Sequence, residues 1–529
     1  MKHPITRRRR RAVAGAGRVT AGLTAAGLIA AGLTVAGMGS ALLISGSALA
    51  GTVAARDQAA VSAAPAAGPT VQLIAAQNHI TLQRFGQQVF IDPGIYVASL
   101  GSALQFDVQR ASYTAPVQIT QVIQLPGGRT ETRRLPSWLL QGFNGLRDFA
   151  RMQVVNAAGK TVLSQLLTFC PDSYQPERAA PDGPANSPYP QQCSSGDPFP
   201  KGEVWGVAKG WAVDPALTSG SAANLPLGTY KVTETITGPY RRLLHISARS
   251  ATATVAAQVQ TAQGCCGPVA PPAGRPRSAS LASAPRVPLL RNPPASVLPD
   301  LVALPSWGIS LSVSRATRQT PLADLINFGA TVWIGGSSPL DVEGFRSHGS
   351  PVMPAYQYFW RGGRVVGRAR AGTMGFDTKN GHDHWHFEHF AEYRLLNAAK
   401  TLAVRSHKVG FCIAPTDGVD LTLPAATWQP PQLGFGGACG QPSALWVREM
   451  LPVGWGDTYF QSVAGQSFDV TRLPNGTYYI EIIANPGGLL HETTTSNDIS
   501  LRQVIIGGTP ANRTVRVPAW NGLNAGGGF

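Results

Sequence analysis

The chain has 529 residues, more than one ordinary core accommodates, so two domains are the first expectation. Gly (59) and Pro (42) are frequent and only 14% of residues are charged, a balance that excludes a coiled coil or helical bundle and favours turn-rich β structure. The formal net charge of +16 is no nucleic-acid signal: residues 1–50 hold seven of the 44 basic residues and no acid, and without them the charge falls to +9.

Residues 1–50 read as a signal peptide. Lys2 and Arg7–Arg11 form a positive head, a Gly/Ala/Leu stretch follows from Ala21 to Ile44, and Ala48-Leu49-Ala50 supplies the small-x-small site of a signal peptidase. Export makes the chain secreted, by the general route or, through Thr6-Arg7-Arg8, by the twin-arginine route; without cleavage the stretch becomes a membrane anchor. Residues 51–67 read as a disordered segment. Six cysteines in an exported chain imply disulfides, with Cys170–Cys193 and Cys412–Cys439 as the pairs, while Cys265 and Cys266 reach elsewhere or bond to each other.

Two strand-rich halves flank residues 258–297, a linker with eight prolines, four arginines and no acid. Strands launched from a Leu-Pro-x-Gly turn lie on both sides, Gly228–Ile236 before the linker and Gly476–Ile483 after it. Other pairs keep the same chain order. Phe149-Ala150 through Asn156-Ala157-Ala158 parallels Phe390-Ala391 through Asn397-Ala398-Ala399, Phe169-Cys170 parallels Phe411-Cys412, and Leu243-Leu244-His245 parallels Leu489-Leu490-His491. Gly101-Ser102 leading to Asp107 parallels Gly336-Ser337 leading to Asp341. The expected fold is therefore mainly all-β: two tandem β-sandwich-like domains with long loops, residues 68–257 and 298–508, then a tail, 509–529, frayed at its glycines.

The chemistry concentrates in the second half, at Gly381-His382-Asp383-His384-Trp385-His386-Phe387-Glu388-His389. On an extended strand His382, His384 and His386 project from one face. Three convergent neutral imidazoles suit Cu, Zn, Fe or Ni, and imidazole alone does not choose among them.

Around this motif the sequence resembles the lysyl oxidase family, in the form of a bacterial-type secreted member with a degenerate N-terminal copy. The HxHxH strand is followed by Tyr393-Arg-Leu-Leu396, then His407-Lys408-Val-Gly-Phe-Cys412, then Gly456-Asp457-Thr458-Tyr459, then Phe468-Asp469-Val470 and Gly476-Thr477-Tyr478. The opening Leu298-Pro299-Asp300-Leu301 matches too. The resemblance implies copper on His382, His384 and His386, and a self-derived lysine tyrosylquinone made from Lys408 and Tyr459. It implies oxidation of a primary amine or peptidyl lysine by O2 to an aldehyde, with ammonia and hydrogen peroxide as the other products. Asp457 is the candidate catalytic base or cofactor orienter; a turn Asp or a partner for an imidazole is the other reading. Where the family carries a His before the aromatic of the next strand, this chain has Glu392. A calcium site is implied at Asp300, the Leu301 carbonyl, Glu492, Thr494, Asn497 and Asp498, with Thr494 replacing a carboxylate.

Aligning the halves at Phe149 and Phe390 drops the three histidine positions onto Gln141, Phe143 and Gly145, and Lys408 onto Leu166. Counting back from Gly228 and Gly476 drops Tyr459 onto Trp211. The first half thus reads as a catalytically dead copy that binds substrate, docks to a cell-surface partner or shields the site. Two other classes stay open: a cupin-like metalloenzyme using His384, His386 and Glu392, and a non-catalytic copper-binding or cell-surface protein.

Overall fold

Strands dominate because apolar residues recur at every second position. In Gly228–Ile236 the buried side chains are Tyr230, Val232, Glu234 and Ile236, a period of two that turns one face of the strand inward. The computed structural model describes residues 69–193, 196–219, 222–262, 287–314, 322–347, 349–378, 384–406, 408–429 and 439–524. Residues 1–50, expected to be a signal peptide, residues 51–67, most of residues 258–297 with Cys265 and Cys266, His382, Asp383 and His407 lie outside these residues. Among the described residues the α-helices are Ala216–Ser219 and Gly238–Leu243, and no helix is long and apolar enough to cross a membrane.

The protein is all-β, with three sheets in each half. The first sheet of the first half runs Val71–Ala75, Ile95–Ser99, Trp211–Val213, Glu177–Arg178 in spatial order; in the second half the order is Leu301–Ala303, Ala323–Ile334, Trp455–Tyr459, Asp417–Gly418. Another sheet orders Gly202–Val207, Leu104–Gln109, Gln118–Gln124, Thr130–Leu135, against Trp446–Leu451, Leu340–Phe345, Val352–Arg361, Arg364–Asp377. The third places Thr161–Phe169, Leu146–Asn156, Gly228–Ile236 and Thr252–Thr261 in one row, against Leu402–Arg405, Ala391–Leu396, Gly476–Ala484 and Ile499–Thr509. Strand for strand, the chain positions correspond.

Local details agree with this correspondence. Tyr230 donates from its hydroxyl to the Pro226 carbonyl (2.8 Å) and Tyr478 to that of Pro474 (2.8 Å). Asn156 Oδ1 accepts from the N–H groups of Ala158 and Lys160; Asn397 Oδ1 accepts from those of Ala399 and Thr401. These side chains close the same turn, by the local side-chain-to-backbone bonding that Asn favours. Register corrects one expected pair. Trp211 lies opposite Arg178, and Trp455 opposite Gly418 in the matching strands, so Trp211 corresponds to Trp455 and not to Tyr459. Four residues on, Tyr459 falls on Pro215. The unequal lengths of the intervening loops hid that shift.

The halves differ at their sheet edges. In the second half the sheet ending in Arg364–Asp377 continues through two more strands, His384–Glu388 and Gly410–Phe411. In the first half the corresponding sheet stops at Thr130–Leu135. There the third sheet instead adds His79–Phe85, Gln88–Phe90 and Ala222–Ala223. Asn512–Arg516 pairs with Ile499–Thr509, so the segment after residue 508 extends the sheet before any fraying begins.

One apolar cluster lies within the first half, around Phe149, Phe169 and Trp205. The other belongs to the second half but takes in Ala103, Tyr189, Val204 and Ala208 of the first. Phe199, fully buried, packs with Leu304, Trp307, Trp333 and Val419 across the same seam. Backbone bonds join the halves as well: Lys201 and Gly202 donate to the Val419 carbonyl (2.6 and 3.2 Å), and Leu421 donates to that of Gly202 (2.7 Å). Gly202 is required there, since a Cβ would collide with Asp420 and Thr422. Disulfides join Cys170 to Cys193 and Cys412 to Cys439.

Candidate active site

The histidine strand, His384–Glu388, runs antiparallel to Arg364–Asp377. Its alternation sends Trp385 and Phe387 into the core, 1% and 0% exposed, and puts His384 and His386 on the opposite face. Their Nε2 atoms stand 2.9 Å apart. Asp377 lies opposite His384 in register, and its Oδ2 is 3.7 Å from Nδ1 of His386, a carboxylate on the far side of the imidazole. Gly410 in the next strand lets that strand approach: a Cβ there would fall 2.9 Å from Cβ of His386.

That approach brings in Lys408. The side chain of Lys408 is buried against Gly465, and its Nζ sits 4.1 Å from the ring centroid of Tyr459 and 5.0 Å from that of Phe411. Tyr459 closes the strand Trp455–Tyr459. Its hydroxyl accepts from Cys412 N–H (2.9 Å) and donates to the Cys412 carbonyl (3.1 Å), and its ring stands edge-on to Phe411 at 5.3 Å. Burial, then the charge of Asp457, holds the phenol well above its ordinary titration range. Asp457, two residues earlier and on the same face, is buried, and its Oδ2 has no hydrogen-bond partner among the described residues. Burial raises its carboxyl well above the usual range; the Lys408 ammonium and the Ala414 N–H pull the other way. Tyr393, fully buried, borders Asp457 and Tyr459, and Gln466 ties the Tyr459 carbonyl to that of Phe328 through Nε2 (3.1 and 3.3 Å).

A pocket of about 340 Å³ opens onto this group. Asp377, His386, Glu388 and Lys408 line it together with Phe376, Val409 and several small residues. Tyr459 and Asp457 are behind Lys408, outside the lining. The structure thus brings together His384, His386, Lys408, Tyr459 and Asp457. Among the described residues no cluster of three or more His, Cys, Asp or Glu is arranged to hold a metal ion, and His382 lies outside them. Glu392, where the family carries a His, is engaged elsewhere: it forks with Arg394 (2.9 and 2.8 Å) and bonds to Arg405 at 3.1 Å.

At the start of the second half Asp300, Glu492, Asn497 and Asp498 converge. Asn497 Nδ2 donates to both Asp300 oxygens at 3.3 Å, and Glu492 accepts from the Leu301 N–H (3.2 Å) and Asn485 (2.6 Å). Burial, followed by the neighbouring acids, lifts Glu492 to about 7 and Asp498 to about 6. Thr494 Oγ1 is hydrogen-bonded to Ser496 Oγ at 3.0 Å.

Two side chains without a role in the sequence reading line the pocket, Asp377 and Glu388. Glu388 had a signal, since it shares the parity of the histidines on their strand. Asp377 had none, because its position depends on a cross-strand register.

No family model matches the chain. It is 28% identical over 139 residues to lysyl oxidase homolog 2 of Gallus gallus, covering 24% of this chain and 16% of that protein. It is 26% identical over 140 residues to lysyl oxidase homolog 3B of Danio rerio, covering 26% of this chain and 15% of that protein. The match therefore spans about a sixth of these relatives' own length and amounts to a distant lysyl-oxidase-like relationship.

Proposed function

We propose that the second half is a secreted, copper-dependent amine oxidase whose organic cofactor is a lysine tyrosylquinone built from Lys408 and Tyr459. The observation that carries this reading is the Lys408 ammonium lying 4.1 Å from the Tyr459 ring centroid, in a pocket it shares with His386.

The residues fit the groups. Two imidazole Nε2 atoms 2.9 Å apart stand at the spacing of adjacent ligands on one ion with bonds of about 2.0–2.1 Å. His384 and His386 would hold copper together with His382, and Asp377 would orient His386 through Nδ1. Copper and the quinone supply the two-electron oxidation, in which R–CH2–NH2, O2 and H2O give R–CHO, NH3 and H2O2. Glu388, in the pocket lining, attracts the cationic amine. Asp457, buried beside Lys408 and raised in proton affinity, is the candidate base or the orienter of the cofactor. The convergent oxygens of Asp300, Glu492, Asn497 and Asp498 suit calcium, with the Leu301 carbonyl and Thr494, in place of a carboxylate, completing the proposed set.

The first half we read as a degenerate copy of residues 298–508, supported by three matching strand orders. Disulfides fit an oxidising, extracellular setting, reached through the signal segment 1–50. Copper-loaded full chain, given butylamine or a lysine-rich polypeptide in air, should release equimolar peroxide and ammonia, and Lys408→Ala should release none. Copper-loaded protein that yields no peroxide with either substrate contradicts the proposal.

A further inference from the structure

The first half reaches the tyrosine strand from behind. Thr331 and Thr458 are paired across neighbouring strands, with Oγ1 atoms 2.7 Å apart. Thr458 lies between Asp457 and Tyr459, so its side chain leaves the strand on the opposite face. Thr331 in turn donates to Oδ2 of Asp197, at 2.8 Å, and Asp197 is contributed by the first half. With Thr331 the donor to Asp197, its hydroxyl has no second proton to give. Thr331 gives its proton to Asp197, so the proton between the threonines comes from Thr458. Hydrogen bonding therefore runs one way, Thr458 to Thr331 to Asp197, and the whole chain is buried.

Asp197 is held for this task. Its Oδ1 accepts from the Phe199 N–H (2.8 Å), and Phe199 is sunk among second-half aromatics. Arg110 clamps the same segment through the Pro198 and Pro200 carbonyls, at 2.8 and 2.9 Å. A second route reinforces the first. Lys201 and Gly202 bond to Val419, next to the strand Asp417–Gly418, which pairs with Gly456 and Trp455.

We infer that Asp197 is a positioning residue for the second-half site: through Thr331 and Thr458 it fixes the strand that presents Asp457 and Tyr459 to Lys408. The first half then completes the active site from behind, without touching substrate. The inference rests on the amine-oxidase reading above. A displaced tyrosine would slow formation of the Lys408–Tyr459 link more than it would weaken the fold, since reactive geometry is sensitive to shifts of about 1 Å.

The test uses the full chain, loaded with copper in air, and reads the rate and final amount of quinone per bound copper in the folded fraction. Wild type should form quinone. Asp197→Ala and Thr458→Val should bind copper equally but form quinone more slowly, by up to about 100-fold. The double variant should be no slower than the slower single, because both break one chain of bonds. Asp197→Asn keeps a polar group toward both Phe199 and Thr331 and should recover most of the rate. Thr458→Val removes only a hydroxyl, so it carries the test if Asp197→Ala fails to fold. Equal rates and yields in all folded variants overturn the positioning role and leave the oxidase reading intact. No quinone in copper-loaded wild type overturns the oxidase reading, and the positioning role with it.

Discussion

The two halves share three strand orders, a Tyr-to-Pro hydrogen bond and an Asn-closed turn, yet only the second carries the strands His384–Glu388 and Gly410–Phe411. Those two strands bring the imidazoles and Lys408 to the sheet edge. The lesson is that sheet core and sheet edge separate: the same strand orders stand with and without the two edge strands on which the proposed site is built.

The largest expected effect breaks the armed half outright. Tyr459→Phe or Lys408→Ala should abolish the quinone band and its phenylhydrazine titre while copper binding persists. A residual band in either variant would move the cofactor to other residues. Next, copper should bind at one ion per chain, all of it lost on His384→Ala with His386→Ala; a second ion, measured by elemental analysis, would show that the first half is armed as well. Asp377→Asn should weaken copper binding about 10- to 100-fold, as loss of an orienting carboxylate does.

The seam between the halves gives the next effect. Phe199→Ala removes a fully buried ring from second-half partners and should cost about 3–5 kcal/mol in denaturant unfolding. An unchanged midpoint would mean that the halves fold without each other. The smallest effect is electrostatic. Burial, then Asp417, lifts Asp197 from 3.8 to about 7, against the Phe199 N–H, Thr331 and Arg110; buried Glu203 lies nearby as a further acid. A raised carboxyl penalises the charged folded state, so its stabilising contribution is full below pH ~4 and declines as pH rises toward 7. Asp197→Asn should therefore gain on wild type by about 2–3 kcal/mol between pH 5 and pH 8. A pH-independent difference would mean that Asp197 ionises normally.

Much of this was legible in the sequence. Alternating strands, Gly/Pro-rich turns and the ordered pairs of the two halves pointed to repeated β structure, because period-two burial and turn chemistry are local. His384, His386, Lys408 and Tyr459 stood out by type and order, and the fold gathers them. What could not be read depends on register and on distance along the chain. Trp211 was assigned to Tyr459 because loop lengths do not reveal which residues lie opposite each other. Asn512–Arg516 looked like a tail because its partner strand is needed to define it. Asp197, Phe199 and Gly202 gave no local signal at all: an acid in a Pro-rich loop gains its role only when Thr331, more than a hundred residues later, closes on it.

The most direct test of the central claim is peptide mass spectrometry on full chain loaded with copper in air. The account predicts a covalent link between the peptides containing Lys408 and Tyr459, in a chain that titrates one carbonyl with phenylhydrazine. Copper-loaded protein in which both peptides are recovered unlinked and unmodified would contradict it.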